Sequence, residues 1–271
     1  MVPEGGRPHE IDPAAYGGPV AINPGWPVAI ACLLLLALTL ATYAVGRLPN
    51  APGTAVAAGR AVLQLGVAAL VITSVVRSLW LSIMLLCLMF TIAVATTVRR
   101  IEARSAWPWA TLAMLAGLVP VVAIILLTRT VPPTGIALIP VVGILAGNTM
   151  NGHTLTCRRT FAALREEHGQ YEAALSLGMT RAQAIAEIIH RRVPEALIPG
   201  LDQVRTAGVV TLPGAFIGVL LGGGTPAQAA AAQVLVLLGI MAAQTVTAVV
   251  AEHLVMRARL LPADLQATLR P

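Results

Sequence analysis

Apolar residues run almost uninterrupted through most of this chain, and the polar residues gather in the gaps between the runs. A helix needs about twenty apolar residues to cross the roughly 30 Å hydrocarbon core of a bilayer. Runs of that kind fall at 26–46, 57–76, 78–98, 107–128, 134–151, 196–221 and 228–252. The pattern predicts an all-α, polytopic integral membrane protein with about seven transmembrane helices, TM1 to TM7. TM2 and TM3 abut at Arg77–Ser78 and must form a tight hairpin. TM5 is short before its polar residues begin. Residues 1–25, rich in Pro and Gly and without a periodic apolar pattern, read as an extracytoplasmic tail, mostly loop. Residues 26–255 form the membrane domain, and 256–271 a short basic tail at the cytoplasmic interface.

Between TM5 and TM6 the pattern changes to charged and amphipathic, over 154–195, and predicts a cytoplasmic helical elbow. Residues 154–177 predict one helix with Phe161, Leu164, Tyr171, Leu175 and Leu177 among its apolar positions, and Gly178 suits its stop. Thr180 followed by Gln183 predicts a capping box that opens a second helix. Ala182, Ile185, Ile188 and Ile189 give that helix one apolar face, and Pro194 ends it. A helix lying on the bilayer would share this pattern. However, Glu166, Glu167, Glu172 and Glu187 are mixed among the arginines, which fits contact with protein better than contact with anionic lipid.

Composition and charge agree with a membrane protein and fix its orientation. The 271 residues are 57% hydrophobic and 11% charged, whereas soluble domains carry about 25% charged residues. The net charge of +6 comes from arginine, for there is no lysine. Cytoplasmic loops of membrane proteins concentrate such charge, so nucleic acid is not implied as a partner. With seven spans, Arg47, Arg99, Arg100, Arg104, Arg158, Arg159, Arg165, Arg181, Arg191, Arg192 and the three arginines of the tail fall on one side. Only Arg7, Arg77 and Arg129 fall on the other. That puts a multi-pass chain in the cell (inner) membrane with its N-terminus outside and its C-terminus cytoplasmic. About twenty-five residues containing Glu4, Glu10 and Asp12 precede the first run, unlike a signal peptide, so TM1 is expected to be a retained anchor. Cys32, Cys87 and Cys157 lie far apart without disulfide or zinc spacing and read as buried small apolar residues.

Several polar residues sit at membrane depth. Arg60 and Gln64 lie one turn apart on one face of TM2. Arg60 either snorkels to the interface or pairs with another helix as a gate, with Asp202 or Glu195 as its candidate partners. In TM5, Pro140, Gly143 and Gly147 precede Asn148, Met150, Asn151 and His153. Asparagine in a membrane helix is often interhelical glue. The same cluster could instead line a substrate path, offering Asn oxygens, Met sulfur or a His nitrogen to a cation. One His beside one Met falls short of a ligand set, so no metal site is assigned. TM6 carries Asp202, Gln203 and Arg205. Asp202 and Arg205, at i and i+3, can pair on one face, either as a structural ion pair or as a functional intramembrane charge. Leu212-Pro213-Gly214 breaks or bends the span. TM7 opens at Thr225–Pro226 and carries Gln233 and Gln244.

These residues exclude several activities. Without lysine the chain holds no Walker A phosphate loop. No Ser lies near His153 for a nucleophile, and Asp202 stands alone where a metal-dependent transferase needs several carboxylates. The chain is therefore read as no enzyme and implies no cofactor. Transport or scaffolding remains. Glu172-Ala173-Ala174, three residues, then Gly178 resembles the opening of the EAA loop of bacterial ABC permeases, in which a short cytoplasmic helix docks on the ATPase. Ile188 falls where that loop's Ile would, while His190 and Arg191 stand where it has Leu-Pro. The blocks AGRAVLQL (58–65), IPVVGILAGNTM (139–150), EAALSLGMTRAQA (172–184) and ALIPGLDQVRTAGVVTLPG (196–214) resemble the FetB-like permease family over about 57–252. That family is associated with iron export, and its plant relatives with aluminium tolerance.

The resemblance implies a permease subunit that works with a separate ABC ATPase, two permease chains to two ATPases, exporting metal ions. Glu172, Ala173, Ala174, Gly178 and Arg181 would form the ATPase coupling surface. Asn148, Met150, Asn151, His153, Asp202, Arg205, Arg60 and Gln64 are the candidate path residues. Asn151, His153 and Cys157 match no position of the family, which leaves the metal open. The residues by themselves also allow a self-contained secondary transporter or channel with Asp202 as its proton or cation site. A scaffold that binds a partner without flux is the third reading.

Overall fold

The computed structural model of the protein describes residues 25–75 and 78–269, so the predicted tail before Gly25, together with Arg7, Arg77 and Arg270, lies outside the described residues. Among those residues the chain is helical. The helices are α1 (Trp26–Val45), α2 (Ala51–Val75), α3 (Leu79–Arg100), α4 (Trp107–Leu127), α5 (Gly135–Glu166), α6 (His168–Ser176), α7 (Arg181–Ile189), α8 (Val193–Thr206), α9 (Gly214–Leu221), α10 (Pro226–Met256) and α11 (Ala263–Thr268). Six described helices, α1 to α5 and α10, are long and apolar enough to cross a membrane.

The run expected to make TM6 is not one helix. Residues 196–221 lie in α8 and α9, separated by an irregular segment that includes the predicted Leu212-Pro213-Gly214 break. Gly208 there has a positive φ of 82°, and its N–H donates to Thr211 O at 2.8 Å. Proline at 213 then caps the start of α9.

Contacts along the helices fix their directions. α3 and α5 run parallel, with Gly143 beside Met89 and His153 beside Thr97. α5 and α10 also run parallel, with Leu145 near Gly239 and the Asn148 carbonyl near Gln244. α4 is antiparallel to α10: Val121 neighbours Gly239, and Gly117 neighbours Ala243 and Thr247. The α8–α9 pair is antiparallel to α10 over its length. Its contacts run from His190–Glu252 through Gly200–Gln244 to Phe216–Gln233.

α5 and α10 have 32 and 31 residues, about 48 and 46 Å at 1.5 Å per residue, well beyond a 30 Å core. Their C-terminal parts therefore emerge on the elbow side, and there the packing changes character. Phe161, Leu164, Tyr171, Ile185, Ile188 and Ile189 form a closed apolar core with Met114, Leu254 and Val255. A smaller core of Leu118, Val121, Ile125, Leu145, Val236 and Ile240 fills the membrane-level bundle. Large apolar side chains such as Leu33, Leu63, Leu70, Trp80 and Val119 are exposed on the outside of the spans, as a lipid-facing surface requires.

Two elements of the elbow side depart from the expected pattern. The helix predicted over 154–177 is the continuation of α5 to Glu166, followed by a break and the separate α6. Likewise, α7 ends at Ile189, and Pro194 sits in the first turn of α8, where a missing N–H is harmless. The C-terminal tail packs into the protein. Leu260, Leu261, Leu265 and Leu269 are buried in the elbow-side core, Arg165 pairs with Asp264 at 2.7 Å, and Arg259 stacks on the Trp109 ring at 4.6 Å. Of the cysteines, Cys157 is buried, while Cys32 and Cys87 are exposed on α1 and α3.

Truncating Leu261 or Leu265 to Ala should cost about 2–5 kcal/mol, because a buried cavity replaces packed methyl groups. Leu177→Ala, at a position 82% exposed, should cost little. Thermal unfolding in mild detergent of the three variants measures the difference.

Candidate functional site

Two sets of polar residues stand out, one at membrane level and one on the elbow. The membrane-level set is organised by Gln244 of α10, which is buried. Its Nε2 donates to the Asn148 carbonyl at 3.0 Å, and its side chain fills the space left by Gly152 on α5 and Gly200 on α8. A Cβ at Gly200 would overlap the Gln244 side-chain oxygen. One amide thus ties three helices at the level where α8 crosses α10. Gln233 plays the corresponding part at the break: its Oε1 accepts from Phe216 N–H at 3.2 Å, an N–H in the first turn of α9 that also donates to the Pro213 carbonyl at 3.0 Å. Both glutamines are visible in the sequence as polar residues in an apolar run, but their roles depend on neighbours far away in the chain.

The predicted path residues divide into three groups. Asn148 is half-buried beside Gln244, and its Nδ2 donates back to Ile144 O at 2.9 Å. Met150 is partly buried against the elbow-side core. Asn151 is exposed, and its Oδ1 accepts from Arg100 at 3.4 Å. His153 is fully buried between α3 and α5. It lies 3.0 Å from Thr97 Oγ1 and about a thiol contact from Cys157, and Thr97 continues to Thr154 at 2.7 Å. His153 therefore sits in a packed hydroxyl and thiol cluster. Among the described residues no three His, Cys, Asp or Glu side chains gather in a metal-sized group.

Asp202 and Arg205 lie on the outer face of α8 and pair at 3.3 Å, with side chains 55% and 66% exposed. Arg60 and Gln64 are exposed on α2. The expected intrachain partners of Arg60 are engaged elsewhere. Asp202 pairs with Arg205, and Glu195 accepts from Arg159 at 2.7 Å and from Arg192 at 3.4 Å. Sequence spacing could pair Asp202 with Arg205 because both sit on one helix; it could not say which helix Arg60 reaches.

On the elbow, the predicted local signals are in place. α6 ends at Ser176, two residues before Gly178, whose φ is +87°, and the last turn closes through Gly178 N–H donating to Leu175 O and Met179 N–H to Ala174 O, at 2.9 and 3.1 Å. This glycine-terminated stop needs a left-handed residue. Thr180 and Gln183 form the reciprocal capping box. Ala184, Ile185, Ile188 and Ile189 turn inward, while Leu177 and Met179 project outward. Glu172 and Ala173 are exposed, and Ala174 is half-buried. Glu172 carries an i, i+4 contact to His168 at 3.4 Å. Arg181, in the first turn of α7, is half-buried with its Nε unpaired among the described residues. Met179, Gln183, Ala186, Glu187, His190 and Arg191 line a shallow groove beside the tip.

The base of this tip is held by charge pairs. Glu167 accepts from Arg192 at 2.9 Å and from Arg191, which also reaches Gln170 at 3.2 Å. These arginines hold the Glu167 carboxyl below its ordinary value, Arg192 contributing most. Glu195, Arg159 and Arg192 link the root of α8 to α5, and His190 Nδ1 meets Glu252 at 2.8 Å. The network joins α5, the α5–α6 junction, α7, α8 and α10 at one level.

Parallel and antiparallel apolar helices, a broken helix crossing beside α10 and a rigid charged elbow define a polytopic α-helical membrane protein. Residues 26–260 match the family described as Uncharacterised protein family (UPF0014), and the chain belongs to that family. The UPF0014 membrane protein STAR2 of Oryza sativa subsp. japonica is 30% identical over 249 residues, 91% of this chain and 87% of that protein. Protein ALUMINUM SENSITIVE 3 of Arabidopsis thaliana is 32% identical over 143 residues, 53% of this chain and 52% of that protein. The probable iron export permease protein FetB of Escherichia coli strain K12 is 30% identical over 135 residues, 50% of this chain and 52% of that protein. No solved structure matches the chain.

Gly200→Val should force Gln244 out of its place and destabilise the bundle by about 1–3 kcal/mol. Gly147→Ala, where a Cβ meets open space, should not; thermal unfolding of the two variants in detergent decides. The lowered Glu167 carboxyl gives a signed pH effect. Its contribution is full above the ordinary glutamate range, near pH 4.3, and is lost as pH falls through its lower folded-state value. The Glu167→Gln variant should therefore show a flatter decline of unfolding temperature on acidification than the native chain.

Proposed function

We propose that this protein is the permease subunit of an ABC-type exporter of metal ions, driven by a separate ATPase, with two permease chains in the assembly. The observation that carries the reading is the elbow: an exposed Leu177–Met179 tip held on a base of ion pairs, on the side where the arginines gather. Apolar residues rimmed by charge on a rigid cytoplasmic projection suit docking into a protein groove. Family membership shared with a protein named as a probable iron export permease supports the transport reading and the kind of cargo. The path of α8 and α9 along α10 supports seven crossings, the sixth made by a broken helix, with the elbow cytoplasmic and the N-terminus outside.

In this mechanism, closure of the ATPases on ATP pushes on α6 and α7 around Glu172, Ala173, Ala174, Gly178 and Arg181. Because α7 is bound to α8 and α5 through Glu167, Arg192, Glu195 and Arg159, the push is delivered to both spans together. Motion passes through Pro194 and Pro199 into α8, and along α5 through Arg158, which donates to the Arg100 carbonyl at 3.1 and 3.2 Å, to His153. Asn148, Met150, Asn151, Asp202 and Arg205 line or gate the path, and the α8–α9 break supplies the joint. Irregular backbone at membrane depth is found where it is buried in protein or lines a cavity.

The decisive sample is the tagged protein purified in mild detergent from its native membrane, beside a Glu172→Arg, Gly178→Trp variant. An ABC ATPase should accompany the native chain and be lost from the variant. An intact native chain without any ATPase would end this reading and favour a transporter working alone on Asp202. In cells, Asp202→Ala should lower metal export while leaving the amount of protein in the membrane unchanged.

A further inference from the structure

We propose that α2 of each copy covers the outer face of α8 in a second copy, so that Arg60 pairs with Asp202 of the other chain and the membrane-level polar set is complete only in the pair. This rests on the two-copy reading above and names the surface that makes it. The first observation is that α1 has no buried residue and α2 none among its described positions. The hairpin leans mainly on itself and on α3. Lipid alone would suit an apolar helix, but α2 carries Arg60 and Gln64 exposed on one face, and Arg60 has no ion pair among the described residues.

The second observation is the converse surface. α8 exposes Asp202, Gln203 and Arg205 within a stretch that runs beside the membrane part of α10. A charged side chain facing hydrocarbon is costly, so both faces call for a polar cover.

Depth then matches the two. Each charge lies nine residues into its helix, Arg60 from Ala51 and Asp202 from Val193, or about 14 Å along the axis. Both helices start on the elbow side. α8 starts beside Glu167 and Arg159, and α2 joins α3 through a few residues at the opposite end, so the two helices run away from the elbow side in the same direction. A twofold axis along the membrane normal leaves depth unchanged, so a charge on one copy meets its counterpart only at its own level. Within one chain Arg60 and Asp202 do not meet, and across the axis the contact occurs twice. A carboxylate has acceptor positions enough for Arg60 as well as Arg205.

The test uses full-length chains with two different tags, co-expressed and captured in mild detergent. Arg60→Asp alone places two acids together at both contacts, and Asp202→Arg alone places two bases together. Each should lower self-capture at least about tenfold. Co-expression of the Arg60→Asp chain with the Asp202→Arg chain restores opposite charges at both contacts and should return capture to near the wild-type level. That recovery would also show that both chains fold. The double reversal on one chain should associate with itself and fail to associate with wild type. Single reversals that self-associate like wild type, or a mixed pair that fails to recover, would overturn the interface. ATPase in those same samples would leave the permease reading standing. Wild-type chains that never capture one another would remove the two-copy reading together with this one.

Discussion

A polypeptide at bilayer depth has no water to satisfy its backbone, and the most consequential places in this protein are those where a helix is interrupted there. The α8–α9 break is the main one. Residues 207–213 satisfy themselves through Thr206, Gly208 and Thr211, and Gln233 on α10 reaches across to the first turn of α9. About three turns further along α10, Gln244 ties α5 and α8 to it in space that Gly152 and Gly200 leave open. The α8–α9 segment is thus held against α10 by two amides as well as by apolar packing.

Two kinds of core divide the remaining work. Within the membrane, packing is modest, and the outward surface is apolar. On the elbow side the ends of α3, α4, α5 and α10 join α7 and the C-terminal helix in a core like that of a soluble domain, and the tail closes it with four buried leucines. Charge pairs between Glu167, Glu195, Arg159, Arg191 and Arg192 sit on top of this core. Exposed pairs of this kind add little stability one by one. Their arrangement matters more than their energy, since it makes α7 and the roots of α5 and α8 one body.

Much of this was legible in the sequence. The apolar runs predicted α1, α3, α4 and α10 to within a few residues, and Thr180–Gln183 and Gly178 marked the helix ends of the elbow, because capping and glycine stops are local events with local signals. Leu212-Pro213-Gly214 marked the break, although the run around it read as one span. The merging of 154–166 with TM5 was hidden because its polarity changes while its backbone does not. The burial of the tail was hidden for another reason: Leu260, Leu261, Leu265 and Leu269 are too few and too closely spaced to show a period, and the surface that receives them comes from other parts of the chain.

The sequence by itself determined the class of protein, most of its long apolar helices and the residues with which chemistry could be done. These follow from hydrophobicity and from interactions between near neighbours, which need no knowledge of the fold. Only the tertiary structure decided what those residues touch. It placed His153 in a buried hydroxyl and thiol cluster, made Gln244 the junction of three helices, gave Glu195 to Arg159 and Arg192, and left Arg60 and Asp202 on separate outward faces. Such pairings depend on the relative direction and depth of helices joined by long connections. No spacing along a single chain encodes that geometry.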